Sequence, residues 1–300
     1  MKKKLKILLM TAWLENFLGS ELFLFTVAEN LKSRGYEIEV YSYLWGVMSD
    51  AFKIIDVPPV DKVEDKYDLA IISHNCCLIQ APKSAYKILT SHGFPDVEQP
   101  IPSADKYVSI SEEVYQNLFS KGFYSSILYN PVNLEKYKSQ RPINQKLENV
   151  LLLSNKLKPT DDEFKIINEA CKQLGLRLTP IGLGFGTAQW EIEEWINNSD
   201  LVISMGRGIY ESMSCERNCI VAGYENLVGF INKKTYPEFL KTNCSGRGSQ
   251  ELITVDGLIR ELQKYNSEQG KINRELIEKN HNVVKFVDKL LNFYFYRKYV

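Results

Sequence analysis

The sequence has few of the groups that hold metal ions, and it lacks long apolar segments. Its 300 residues include three histidines and six cysteines, and no two cysteines have the Cys-x-x-Cys spacing of a zinc site. We therefore expect no metal site and no resident cofactor, and we interpret the cysteines as buried thiols in a reducing compartment. No apolar run reaches ten residues, which is too short to span a bilayer.

An excess of positive charge is also missing. Lysine and arginine together number 37, and so do aspartate and glutamate, so the net charge is zero. Proteins that bind nucleic acids in general carry a basic excess, so we predict no nucleic-acid partner. The lysine-rich start resembles a secretion signal, but Lys6 interrupts it early and Glu15 follows closely, without a small-residue cleavage site. We therefore expect a cytoplasmic protein.

What the sequence does contain is a regular alternation of strand and helix patterns. The apolar run at 5–10 predicts a buried parallel strand, and Ser20 is predicted to cap the helix that follows. That helix ends at Gly35, and residues 38–43 predict the next strand. This βαβ opening predicts an α/β fold with parallel sheets. Further strands are predicted at residues 69–73, 85–90, 107–109, 127–128, 150–153, 177–181, 201–204 and 219–222.

A polar segment separates the two halves of this alternation. Residues 133–146 lack a helix or strand pattern and contain the pair Arg141-Pro142, so we predict a linker there. A chain of 300 residues allows about two domains. We therefore predict one Rossmann-like domain on each side of the linker.

Glycine-rich loops follow two strands of the second half. The strand at 177–181 runs into Gly-Leu-Gly at 182–184, and the strand at 201–204 runs into Gly-Arg-Gly at 206–208 and then directly into a helix. Ligands of open α/β sheets bind beyond the carboxyl ends of the strands. These loops would therefore suit a nucleotide diphosphate, held by backbone amides and by Arg207. The alternative is that the glycines only make turns.

Single polar residues lie at other strand and helix ends. Glu211, one turn into the helix after 206–208, would accept hydrogen bonds from a ribose or simply stabilise the helix start. His74 and His92 follow apolar strands, where they would contact a sugar or transfer protons, or only satisfy local hydrogen bonds. Arg247, in a glycine-containing turn, is a further phosphate candidate, the alternative being an ordinary surface turn.

Several motifs along the chain resemble those of one enzyme family. Gly-Ser-Glu at 19–21 is similar to its Gly-Gly-x-Glu loop, and Thr-Ser-His-Gly at 90–93 is similar to its Thr-x-His-Gly strand end. The most specific match is Glu-Ser-Met-Ser-Cys at 211–215 with Cys-Ile-Val-Ala at 219–222, which resembles Glu-Ala-Met-Ala-Cys-Gly-x-Pro-Val-Val-Ala. The family is the nucleotide-sugar glycosyltransferases of the GT-B fold, group one or family four. The resemblance is patchy but extends over almost the whole chain.

The resemblance implies a fold and an activity. Two Rossmann-like domains would face a cleft, an acceptor-side domain at 1–145 and a donor-side domain at 146–280, and a terminal helix at 281–300 would pack back on the first. The activity would be metal-independent transfer of a sugar from a nucleotide-sugar to a hydroxyl of a glycan or a lipid-linked acceptor. A lipid-linked acceptor would bring the protein to the inner face of the membrane, with the aromatic tail at 292–300 as its contact. The alternative is that this tail only completes the terminal helix.

The resemblance also assigns roles to residues. His92 and Glu211 would be catalytic, with Glu211 as the ribose ligand. His74 and His92 would lie on the sugar or acceptor side. The residues that would bind the donor nucleotide and its diphosphate are Gly19, Ser20, Lys156, Lys158, Gly182, Gly184, Gly206, Arg207, Gly208, Ile209 and Glu211, with Arg247 as the further candidate named above.

One departure from the family pattern keeps other functions open. The family commonly has two glutamates separated by seven residues, and the upstream position counted from Glu211 is Ile203. A contact to the donor sugar would then be missing or rebuilt. The alternatives are a sugar-nucleotide epimerase of the same fold and a non-catalytic module that binds a nucleotide-sugar or a partner.

Overall fold

The computed structural model describes residues 5–223, 225–247 and 249–297; the predicted end of the terminal helix, 298–300, lies outside them. The chain divides into two compact units. The first comprises Met1–Pro131 with Val283–Val300, and the second comprises Val132–Asn282. Each unit has a largely parallel sheet with helices, so the predicted α/β fold of two Rossmann-like domains is confirmed.

The first unit is built on a parallel sheet with the strand order β2-β1-β3-β4-β5-β6. Its strands are β1 Lys6–Leu14, β2 Glu37–Trp45, β3 Leu69–Ile72, β4 Tyr86–Ser91, β5 Lys106–Ser109 and β6 Ser125–Ile127. The apolar run in β1 is buried, as expected for an inner strand covered on both faces. Leu8, Met10, Ile72 and Leu89 line up across the inner strands and form one side of the core.

Four helices of the first unit, among the residues described, cover this sheet. They are α1 Gly19–Ser33, α2 Val47–Ile54, α3 Glu112–Ser120 and the carboxyl-terminal helix α10 Val283–Phe295. Helix α10 packs on α1, where the rings of Phe23 and Phe286 meet edge to face at 5.5 Å. At the other end of α1, Arg34 pairs with Asp288 at 2.5 Å. The end of the chain is thereby built into the first unit.

The second unit has the strand order β11-β10-β9-β7-β8, in which β11 alone of these strands runs antiparallel to its neighbour. Its strands are β7 Asn149–Leu153, β8 Arg177–Ile181, β9 Leu201–Ser204, β10 Asn218–Gly223 and β11 Asn226–Phe230. Its helices are α4 Asp162–Gln173, α5 Glu193–Asn197, α6 Arg207–Ser214, α7 Tyr236–Lys241, α8 Val255–Leu262 and α9 Gln269–Asn280. Ile167 of α4 and Leu258 of α8 pack on Leu152 and Ile203 of the sheet.

The segment predicted as a linker belongs instead to the second unit. Arg217 is fully buried and donates hydrogen bonds to the carbonyl of Arg141 at 2.6 Å and to Ser139 Oγ at 3.3 Å. Asn197 Oδ1 accepts from the amide of Gln140 at 2.8 Å. These bonds hold the polar segment against the second sheet, so the first unit ends at Pro131 and the predicted boundary at residue 145 is displaced.

Three properties of the described residues concern membrane-spanning helices, thiols and metal ligands. Within 5–223, 225–247 and 249–297, no helix is long and apolar enough to cross a membrane. All six cysteines are free thiols; five are buried and Cys76 is half-buried. The same residues contain no group of three or more His, Cys, Asp or Glu side chains arranged to hold a metal ion.

Candidate functional site

The second sheet has a switch point between β7 and β9. The connection after β7 leads through α4 to β8 on one side, while the connection after β9 leads through α6 to β10 on the other. The two connections therefore diverge beyond the carboxyl ends of β7 and β9. Open α/β sheets bind their ligands at such a point. The loops that border it are 154–161 and 205–206.

The predicted glycine turn lies at this switch point, and its glycines have conformational reasons. Gly206 precedes α6 with a φ of 59° and a ψ of −128°, which a residue with a side chain adopts only with strain. Its amide donates to the carbonyl of Cys244 at 2.8 Å. A Cβ atom on Gly208 would lie 2.5 Å from Ser204 Oγ. The backbone conformation therefore favours glycine at 206, and the close approach of the Ser204 hydroxyl favours glycine at 208, whatever binds there.

Helix α6 begins at Arg207, and no side chain among the described residues caps its start. The first amides of a helix have no partner within the helix, and together with the helix dipole they favour an anion. Ile209, which was also predicted to bind the donor diphosphate, is fully buried. Its side chain therefore anchors the helix, and its backbone is the part that remains for a ligand.

Arg207 and Glu211 form a buried ion pair within α6. Arg207 Nε lies 2.6 Å from Glu211 Oε1, one helical turn away, and both side chains are less than a tenth exposed. Arg207 therefore has an acidic partner, Glu211, which is itself one of the predicted site residues. The sequence separation of four places the two groups on one helix face.

Two residues of the former linker complete the surroundings of Glu211. Burial raises the pKa of Glu211, while the charges of Arg207 and Lys136 and hydrogen bonds from Arg207 and Tyr137 oppose that rise. Lys136 Nζ also lies 4.5 Å from the centre of the Trp190 ring. Sequence reasoning missed Lys136, because only the tertiary structure brings it close to α6. The sequence indicates no more than that Lys136 lies in the polar segment 133–146.

The glycines after β8 are explained by contact between loops. A Cβ atom on Gly182 would lie 1.9 Å from the carbonyl oxygen of Ser154, and one on Gly184 would lie 2.1 Å from that of Leu157. The loop after β8 therefore packs directly on the loop after β7. Their role in donor binding stays a prediction, but their glycine character follows from this approach.

The loop after β7 carries the two predicted lysines and borders a cavity. Lys156 and Lys158 are exposed, and Ser154 Oγ accepts from the amide of Lys156 at 3.3 Å. The cavity has a volume of about 220 Å³ and mostly apolar walls. Its lining includes Leu152, Leu153, Lys156, Leu157, Asp161, Glu163, Ile167, Met205, Ala222, Gly223, Glu225, Asn226 and Ile253. Met205, next to Gly206, joins the cavity to the glycine turn.

Arg247 and Ile203 have different positions around α6. Arg247 is exposed, and its amide donates to Ser245 Oγ at 3.4 Å. Its loop reaches the glycine turn through the bond between Gly206 and Cys244. Ile203 is fully buried inside β9 and belongs to the core. A carboxylate at this position would be buried in the apolar core, so the contact to a donor sugar that the resemblance implies would need another residue.

The remaining predicted residues lie in the first unit, around the switch point between β1 and β3. Gly19 is exposed and opens α1, and a Cβ atom there would meet nothing within 4 Å. Ser20 does not cap the helix as predicted, because it already lies inside the first turn and Leu18 precedes the helix. Its hydroxyl donates to Glu21 Oε2 at 2.8 Å instead.

The two histidines of the first unit have different surroundings. His74 is fully buried, and its Nδ1 accepts from the amide of Ala12 at 3.0 Å. Burial lowers the pKa of His74 to about 4, so the ring is neutral at physiological pH. Only Nδ1 is satisfied in this way, since the buried Nε2 has no hydrogen-bond partner among the described residues. His92 is half-buried, and its ring meets that of Phe23 edge to face at 4.7 Å.

The chain has the GT-B fold predicted from its sequence. It superposes with a TM-score of 0.68 on HepE of Anabaena in complex with UDP-glucose, at 13% identity over 96% of this chain and 98% of that one. The lipopolysaccharide outer core galactosyltransferase WaaB, in its apo form, gives a TM-score of 0.60 at 16% identity over 98% and 100%. A Listeria monocytogenes protein provisionally assigned as a UDP-N-acetylglucosamine 2-epimerase gives 0.62 at 11% identity over 98% and 96%.

Similarity at this level of identity is a similarity of fold. The scan against protein families found no match, and neither did the search of curated proteins.

Proposed function

We propose that the protein transfers a sugar from a nucleotide-sugar donor to the hydroxyl group of an acceptor. The observation that carries the proposal is the turn at 206–208, which brings Arg207 and the uncapped start of α6 to the switch point of the second sheet. The likeness to HepE, whose structure holds UDP-glucose, supports a nucleotide-sugar as the donor.

In this reaction the second unit must stabilise the nucleoside diphosphate as it leaves the sugar. Negative charge develops on the diphosphate as its bond to the sugar breaks, and fixed positive groups lower the barrier. The first amides of α6 and the guanidinium of Arg207 would supply them, since a guanidinium binds two phosphate oxygens in a planar fork. The exposed lysines Lys156 and Lys158 would add charge from the other side of the switch point.

In this proposal Glu211 is a positioning residue rather than the ribose ligand. Its side chain is almost fully buried and contacts Arg207 Nε at 2.6 Å. It therefore orients the guanidinium before the donor arrives, which reduces the ordering needed on binding. The cavity of about 220 Å³ beside Met205 would receive the nucleoside, because its lining is mostly apolar and includes a few polar side chains such as Asp161 and Asn226.

Calorimetry on two variants tests the assignment within the second unit. Arg207→Lys keeps the charge but removes the fork, so we expect nucleoside diphosphate binding to weaken about tenfold and nucleoside binding to stay unchanged. Ala222→Leu narrows the cavity and should weaken both equally. Arg177→Lys, at the exposed first residue of β8 and therefore at the opposite edge of the sheet, is the control and should change neither affinity. If Arg207→Lys lowers both affinities together, or neither, the diphosphate assignment is wrong.

Turnover assays separate the transferase from the alternatives. Release of nucleoside diphosphate from a nucleotide-sugar, with water or an added acceptor, supports the transferase. The epimerase has a specific observation in its favour, the likeness to the Listeria protein. It would interconvert free UDP-N-acetylhexosamines without releasing UDP. Binding of a nucleotide-sugar with neither reaction would favour a non-catalytic module.

A further inference from the structure

The first turn of α1 holds a buried carboxyl group that the proposed function has not used. Glu21 is fully buried. Ser20 Oγ donates to its Oε2 at 2.8 Å, and its Oε1 has no hydrogen-bond partner among the residues that the structure describes. A buried polar atom without a partner is costly, and native structures keep such atoms mainly where a ligand, water or proton is exchanged.

Buried hydroxyl groups without a hydrogen-bond partner among the described residues also lie at the carboxyl ends of the strands of the first sheet. Ser73, Thr90 and Ser91 are fully buried, and their hydroxyl oxygens have no hydrogen-bond partner in the described part of the chain. Ile72 pairs with Leu89, so Ser73 and Thr90 follow side by side at the carboxyl ends of β3 and β4. This is the edge at which α1 begins, so Glu21 does not stand alone.

Burial favours the protonated form of Glu21. It raises the pKa of Glu21 to about 7, against the opposing hydrogen bonds from Ser20 and from the backbone of Glu21, and the negative charge of Glu15 in the segment before α1 adds a smaller rise. His92, on the loop after β4, faces the next residues of α1 through its ring contact with Phe23. Lys32 and Arg34, at the far end of α1, are paired with Asp56 and Asp288. On neighbouring elements, Lys53 is paired with Asp50 and Lys6 with Glu37.

We propose that Ser20 and Glu21 form a proton relay that takes the proton of the acceptor hydroxyl. The inference rests on the proposed function. Ser20 is about a tenth exposed, whereas Glu21 is fully covered, so Ser20 is the member that touches the acceptor. Because the Ser20 hydroxyl already donates to Glu21, its oxygen retains lone pairs for a ligand. It therefore suits a ligand that donates, which a hydroxyl does and a diphosphate does not.

The step balances in atoms and electrons. The acceptor oxygen forms a bond to the anomeric carbon, and the bond from that carbon to the diphosphate oxygen breaks, with its electron pair leaving on the diphosphate. The acceptor proton moves to Ser20 Oγ while the Ser20 proton moves to Glu21 Oε2. Glu21 must be ionised to receive it, so turnover should rise with pH through the titration of Glu21.

The test measures turnover against pH on the full chain. Nucleoside diphosphate release from UDP-, GDP-, ADP- and dTDP-glucose first identifies a donor that the wild-type protein uses. We expect Glu21→Gln and Ser20→Ala to lower turnover about 100-fold with donor affinity unchanged, and Glu21→Gln to remove the rise with pH. Glu29→Gln, on the same helix, is the control and should change neither.

The outcomes separate the two proposals. A Glu21→Gln profile that keeps the wild-type rise with pH overturns the relay and leaves the transferase in place. Infrared difference spectra of wild type against Glu21→Gln need no substrate: a protonated-carboxyl band that disappears at pH about 7 supports the proton site, and its absence overturns the relay. No turnover of any donor overturns the proposed function.

Discussion

The two units place a buried glutamate beside the same kind of strand crossover, yet the electrostatics of the two glutamates are opposite. In the second unit Glu211 faces the Arg207 guanidinium at 2.6 Å and has the charge of Lys136 nearby. In the first unit Glu21 has a serine hydroxyl as its partner, and the charge that acts on it, Glu15, is negative too. The position of the crossover determines where a site lies. The charges of the residues at that position determine whether the site favours an anion or a proton.

The largest expected effect comes from removing the anion of the second unit. Glu211→Ala removes the carboxylate that faces the buried Arg207 guanidinium, so we expect a loss of about 3–5 kcal/mol in the free energy of unfolding. Urea denaturation measures it. The double variant Arg207→Met with Glu211→Leu removes both charges and should recover most of the loss. A Glu211→Ala protein as stable as wild type would mean that the pair is not electrostatically coupled.

The corresponding change in the first unit should act in the opposite direction. Burial raises the pKa of Glu21 from 4.5 to about 7, so the folded chain holds a proton that the unfolded chain releases between these values. This contribution is fully present below pH 4.5 and is lost as the pH rises to about 7. Glu21→Gln lacks the titration and should be about 3 kcal/mol more stable than wild type at higher pH. Unfolding curves across the pH range measure the difference, and a variant less stable at every pH contradicts it.

A smaller effect distinguishes the two histidines of the first unit. His74→Phe removes the acceptor of the Ala12 amide, which would then be buried without a partner, at a loss of about 1–3 kcal/mol. His92→Phe, at a half-buried position, is the matched control and should stay closer to wild type. Thermal unfolding of both variants measures the two losses of stability. Equal losses would contradict the expected cost of leaving the Ala12 amide without an acceptor.

The smallest expected effect is that of a chelator. The proposed stabilisation of the diphosphate uses helix amides and Arg207, so turnover should persist in excess EDTA. The assay is the release of nucleoside diphosphate with and without chelator. Full loss of activity, restored by manganese or magnesium, would show that the second unit binds its anion through a metal ion.

Much of the fold followed from local patterns. The strands at 177–181 and 201–204 lie where their apolar residues and flanking glycines predict, and the turn at 206–208 leads directly into a helix as expected. Helix α2 and strand β11 were missed, because α2 is short and β11 lies in a stretch without a clear pattern. The composition of the polar segment 133–146 predicts a linker, because composition alone does not reveal that the buried Arg217 binds the carbonyl of Arg141.

The candidate site divides in the same way. The sequence by itself determined the glycine turns, the helix that carries Arg207 and Glu211, and the edge of each sheet where polar residues gather, because periodicity and turn chemistry act over a few residues. The tertiary structure decided that the charge of Lys136 acts on Glu211, that Gly182 packs directly on the loop after β7, and that the side chain of Glu21 is buried. These are matters of burial and of charge at close range, and both are set by distant segments that pack together.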